Sequence, residues 1–112
     1  MAEQTQATNQ LQQQLNELVE ALPKDRQKLV DFLKQQKIRG LRDDSYACPI
    51  ANYVKAKLRC DNVEVSCEEI IASTKYQKTL GYHHSTTAIT EFIDLFDDGQ
   101  FPELETTNNG KP

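Results

Sequence analysis

Leu11, Leu15, Leu18 and Leu22 recur at steps of four, three and four, and Pro23 follows at once. Apolar residues at that spacing line one side of an α-helix, with the intervening Gln, Asn and Glu on its solvated side. Proline disfavours helical geometry at the residue before it, so a helix expected over 9–22 is cut short after fewer than two heptads and cannot grow into a long coiled coil. Pro23 in turn suits the first turn of a second helix, where its missing N–H is not needed. Leu29, Val30, Phe32 and Leu33 give that helix an apolar stripe running to about Ile38. Lys37 and Arg39 stand near the negative end of its dipole, and Gly40 is expected to end it. The two segments are expected to pack as an antiparallel helix pair joined by a very short turn.

In SYACPIANYVKAKL (45–58), Ala47, Ile50, Ala51, Val54 and Leu58 share one helical face. Pro49 belongs in the first turn, which leaves Ser45, Tyr46 or Cys48 as the cap and puts Cys48 on the flank of Asn52, Lys55 and Arg59. Val63 and Val65 alternate with polar residues as in a half-buried strand, which needs a partner. Residues 69–73 are expected to turn back as that partner, although Ser66-x-x-Glu69 also has the form of a capping box opening a helix. After a turn at GYHHS, Ala88, Ile89, Phe92, Ile93 and Phe96 mark a last helix, capped by Ser85 or Thr86 and ended by Gly99. The predicted fold is thus a helix-dominated α+β domain: a two-helix hairpin, a third helix, a short β-hairpin and a C-terminal helix. Residues 9–104 form the single globular domain, between disordered tails at 1–8 and 105–112.

Charge is unevenly distributed. Residues 24–59 carry ten basic and four acidic side chains, whereas 60–112 carry three basic and ten acidic ones. Such asymmetry can mark a half that binds polyanions, but two halves that attract each other within one fold is the preferred reading. That reading also supplies a basic neighbour for Asp94, Asp97 and Asp98, which crowd the unfavourable C-terminal end of the last helix. Three cysteines are an odd and sparse set, and no basic-then-apolar leader opens the chain, so free thiols and a cytoplasmic location are expected. No apolar run approaches the roughly 20 residues that span a bilayer, so no membrane partner is expected.

Cys48 at a helix N-terminus, with Lys55 and Arg59 along its flank, has the makings of a thiol of lowered pKa and hence of a redox sensor. No histidine or acid completes a local catalytic dyad, and the preferred reading is a small residue fitted beside proline. Cys48, Cys60, Cys67, His83 and His84 lack the close ligand pairs of zinc sites. DLFDDGQFPELE (94–105) places Phe96 where a calcium loop needs an oxygen ligand. No cofactor or metal is therefore expected. Lys34, Lys37, Arg39, Arg42, Lys55 and Arg59 are candidate phosphate contacts, yet the pI near 5.1 and the absence of an acid-free basic face argue against nucleic acid as the main partner.

The phrases CPIA with Tyr53, and FDDGQFPEL (96–104), are similar to phrases in small bacterial proteins of unassigned function. The resemblance implies a prokaryotic single-domain origin and no particular activity. The expected function is a small non-enzymatic binding or regulatory module acting on another protein or on a second copy. Its expected surfaces are the seam of Leu11, Leu15, Leu18 and Leu22, or the acidic end at Asp94, Asp97, Asp98, Glu103 and Glu105. The alternatives are a nucleic-acid-associated regulator, or an acidic mimic of nucleic acid, and a sensor built on Cys48.

Overall fold

The computed structural model describes residues 2–74 and 80–106. Among them the chain forms α1 (Ala2–Ala21), α2 (Arg26–Gln35), α3 (Pro49–Leu58), β1 (Asn62–Val65), β2 (Glu69–Ser73), β3 (Leu80–His84), α4 (Thr87–Asp97) and a short 3-10 helix at Pro102–Leu104. The helix-dominated α+β class holds. The sheet is antiparallel in the order β1-β2-β3, with Val63 opposite Ala72 and Ala72 opposite Gly81.

Strand alternation sorts the sheet into two faces. Val63, Val65, Ile70 and Ala72 are buried and join Phe92, Phe96, Leu15, Leu29, Leu33 and Ile50 in one core, while Asn62, Glu64, Ile71, Tyr82 and His84 on the other face are half-buried or exposed. The Phe92 ring stacks on those of Phe96 and Phe101, at centroid distances of 5.6 and 5.5 Å. The helices pack differently from the expected two-helix hairpin. α1 lies on β3 and α3, and α2 lies on α4. The leucine seam is satisfied by the sheet rather than by its neighbour in sequence.

Three boundaries depart from expectation. α1 starts at Ala2, so residues 2–8, expected as a tail, continue the helix. The hairpin gains a third strand, because LGYHH, which overlaps the turn expected at GYHHS, pairs along the whole of β2. Tyr82 turns its N–H and C=O off that sheet edge, and the Gln12 side chain takes both: its Oε1 accepts from Tyr82 N–H at 2.9 Å and its Nε2 donates to Tyr82 C=O at 2.5 Å. At the opposite edge Val65 N–H donates to Ser45 C=O at 2.8 Å.

α2 is the third departure, at both ends: it starts at Arg26 with Asp25 as its N-cap, accepting from Lys28 N–H, so Pro23 precedes the helix rather than sitting in its first turn. The helix stops at Gln35, with Gln36 as its C-cap, and the left-handed residue is Lys37 (φ 59°) rather than Gly40. Gly40 is instead needed for close approach, since a Cβ there would lie 2.4 Å from the backbone nitrogen of Pro49. Gly40 N–H donates to Leu104 C=O, and its C=O accepts from Thr106 N–H. Glu105 and Thr106, expected in a tail, are therefore tied to the body, while the rest of that tail, 107–112, lies outside the described residues.

Candidate functional site

The segment between α2 and α3 is a closed loop. Leu41 N–H donates to Ala47 C=O at 2.8 Å, and the Asn52 amide of α3 donates to both stems, to Arg39 C=O at 2.7 Å and Ala47 C=O at 3.1 Å. Within the loop, Asp44 Oδ1 accepts from Tyr46 N–H, Asp43 adopts a left-handed backbone (φ 56°), and Asp97 Oδ1 of α4 accepts from Asp43 N–H at 2.9 Å. Lys55 Nζ donates to Tyr46 C=O at 3.0 Å. A loop of this length with its ends stapled is rigid enough to present side chains in fixed positions. It presents Leu41 and Tyr46, which are 40% and 47% exposed. Tyr82, 39% exposed on the outer sheet face, is the third exposed large apolar side chain among the described residues.

Cys48 follows the loop and is the N-cap of α3, with its Sγ accepting from Ala51 N–H at 3.4 Å. The residue is 4% exposed. Burial above all, with Asp97 and Asp44 adding negative charge nearby, pushes its pKa up to about 11, against the effect of the helix amides. The expectation of a lowered pKa is therefore reversed, because burial outweighs the helix amides. Cys67, at the β1–β2 turn, is exposed and donates to Asp94 Oδ1 at 3.3 Å. Partial burial, that hydrogen bond and neighbouring acids raise its pKa too, and burial raises that of Cys60. None of the three thiols is poised as a thiolate. Among the described residues no group of three or more His, Cys, Asp or Glu side chains is arranged to hold a metal ion, and no helix is long and apolar enough to cross a membrane.

The two charged halves meet across the fold. Lys34 pairs with Glu103 at 2.6 Å, Arg42 with Glu105 at 3.4 Å and Arg26 with Glu91 at 3.9 Å. Glu103 raises the pKa of Lys34, and Lys34 holds that of Glu103 below its ordinary value. Of the candidate phosphate contacts, Lys34, Arg42 and Lys55 are thus engaged within the chain. Lys37 and Arg39 remain at a cavity of about 530 Å3 beside Glu103, and Arg59 is the left-handed C-cap of α3.

Leu11, Leu15 and Leu22 are buried and Leu18 is half-buried against the core. The seam proposed for a partner thus faces inward. The acidic surface is gathered only in part: Asp97 and Glu105 flank the loop, Asp94 sits at Cys67, Asp98 caps α4, and Glu103 is drawn off to Lys34. The loop itself escaped the sequence reading, although two large apolar residues in GLRDDSYA outside any helical or strand period were a usable signal. No family model, curated protein or solved structure matches the chain.

Proposed function

We propose that the protein is a non-enzymatic docking module that engages another protein through the loop at 40–47. The observation that carries this reading is a stapled loop that holds Leu41 and Tyr46 in solvent, although nothing within the chain's own core requires them there. Aromatic and aliphatic anchors on a rigid support bind a partner at little entropic cost, because few bonds freeze on contact. The engagement of Lys34, Arg42 and Lys55 within the chain weighs against a phosphate backbone as the partner, since counterion-releasing contacts need free cations.

The test is affinity capture from the cell of origin with the full chain and with a Leu41→Ser/Tyr46→Ser variant, followed by reconstitution with the purified captured protein. The expected result is a partner that binds the wild type in solution and loses affinity at least about tenfold with the variant, the loss of one or two modest anchors. Equal binding by both chains, or retention on a phosphate resin that falls steeply with salt, overturns the reading.

A further inference from the structure

A groove of about 360 Å3 opens beside the loop, between the N-terminus of α3, the β1–β2 turn and α4. Its floor is apolar: Cys48, Val65 and Ile93 line it, and all three belong to the core. Its rim carries the carboxylates of Asp43, Asp44 and Asp97, and among the described residues no lysine or arginine lines it. Glu91, Glu103 and Glu105 meet Arg26, Lys34 and Arg42. Here Asp44 and Asp97 are held instead by backbone N–H groups, one oxygen each. The carboxylates act on what lies in the groove: negative charge from Asp97 adds to the burial that raises Cys48, and, behind burial and Asp94, to the upward shift of Cys67.

An apolar floor under an anionic rim matches one kind of side chain. Lysine and arginine lay a hydrocarbon stem on apolar surface and keep the charge at its end. Complementary charge fixes orientation and speeds encounter, and among the described residues no cation lining the rim would have to be displaced.

We propose that this groove receives a lysine or arginine side chain from a basic segment of the partner protein, its stem over Cys48, Val65 and Ile93 and its cationic head at Asp44 and Asp97. The proposal rests on the reading of the neighbouring loop as a docking site and gives that site a chemistry: apolar contact at Leu41 and Tyr46, and a basic anchor alongside.

The test is an amide nitrogen–proton NMR titration of the full chain with acetyl-Lys-Leu-Lys amide, with acetyl-Glu-Leu-Glu amide as control, up to about 10 mM, the range where a contact of a few kcal/mol registers. Saturable shifts confined to 43–48, 65–67 and 93–97 are expected with the lysine peptide alone. Asp44→Asn/Asp97→Asn keeps an acceptor oxygen for each backbone N–H but removes both charges. Its spectrum is expected to match the wild type away from the groove, and its affinity for the lysine peptide to fall about tenfold. Shifts spread over the whole acidic surface, an unchanged affinity in the double variant, or saturation by zinc or calcium chloride without peptide each overturn the proposal. So does light scattering that shows a dimer whose interface covers these amides. If Leu41→Ser/Tyr46→Ser loses the captured partner while Asp44→Asn/Asp97→Asn keeps it at full affinity, the docking loop stands and the basic anchor falls.

Discussion

The leucine seam of α1 and the loop at 40–47 both carry large apolar residues, and they use them in opposite directions. The seam repeats at helical spacing and is consumed by the molecule itself, with Leu15 fully buried against the sheet. The loop has no period, is held by polar bonds from Asn52, Asp44 and Asp97, and turns Leu41 and Tyr46 outward. Regular apolar spacing therefore reports what the chain hides, whereas apolar residues stranded among Asp, Arg and Ser report what it offers.

That contrast is open to direct attack. The largest effect is expected in the seam: Leu15→Ala leaves a cavity in a close-packed core and lowers unfolding stability by about 3 kcal/mol, read by urea denaturation. Next comes the boundary between the two regions, at Cys48. Its folded pKa lies above the ordinary value of 9.0, so the unfolded chain gives up this proton first as pH rises. The stability it contributes is fully present below pH 9.0 and is lost as pH climbs through about 11, up to about 3 kcal/mol for a shift of this size. Denaturation curves at pH 8 to 11 are expected to fall more steeply for the wild type than for Cys48→Ala, and parallel slopes contradict the burial argument. Asn52→Ala removes two bonds from the loop stems and costs about 1.5 kcal/mol, with faster amide exchange at Leu41 as its local signature. Smallest of all, Leu41→Ser/Tyr46→Ser changes stability by less than about 0.5 kcal/mol, because neither side chain is in the core. A loss comparable to that of Leu15→Ala would mean the loop is structural and erase the contrast.

The same division explains what the sequence made legible. All four helices announced themselves through apolar periodicity, and the pairing of basic with acidic halves was readable from charge counts. The basic neighbour expected for Asp94, Asp97 and Asp98, however, is found for none of them among the ion pairs of the described residues: they meet Cys67, the Asp43 N–H and Gln100 instead. β3 was hidden because Gly81, His83 and His84 resemble a turn locally, and only pairing with Ile70 and Ala72 makes them a strand. The packing of α1 on β3 was hidden too, since nothing in a seam says which surface will cover it. Cys48 shows the limit of arguing from a helix terminus: the dipole and the cations on its flank were visible, but the depth of burial that outweighs them is a tertiary fact.

The bonds at the two outer strands have a further consequence. With a glutamine amide standing in for a fourth strand on one side, and a serine carbonyl closing off the first strand on the other, the ladder ends at both margins. Backbone addition, the route by which small β-structures fuse into fibrils or recruit extended peptides, meets groups already in use at Tyr82 and at Val65 N–H. At those two positions recognition is left to side-chain shape and charge.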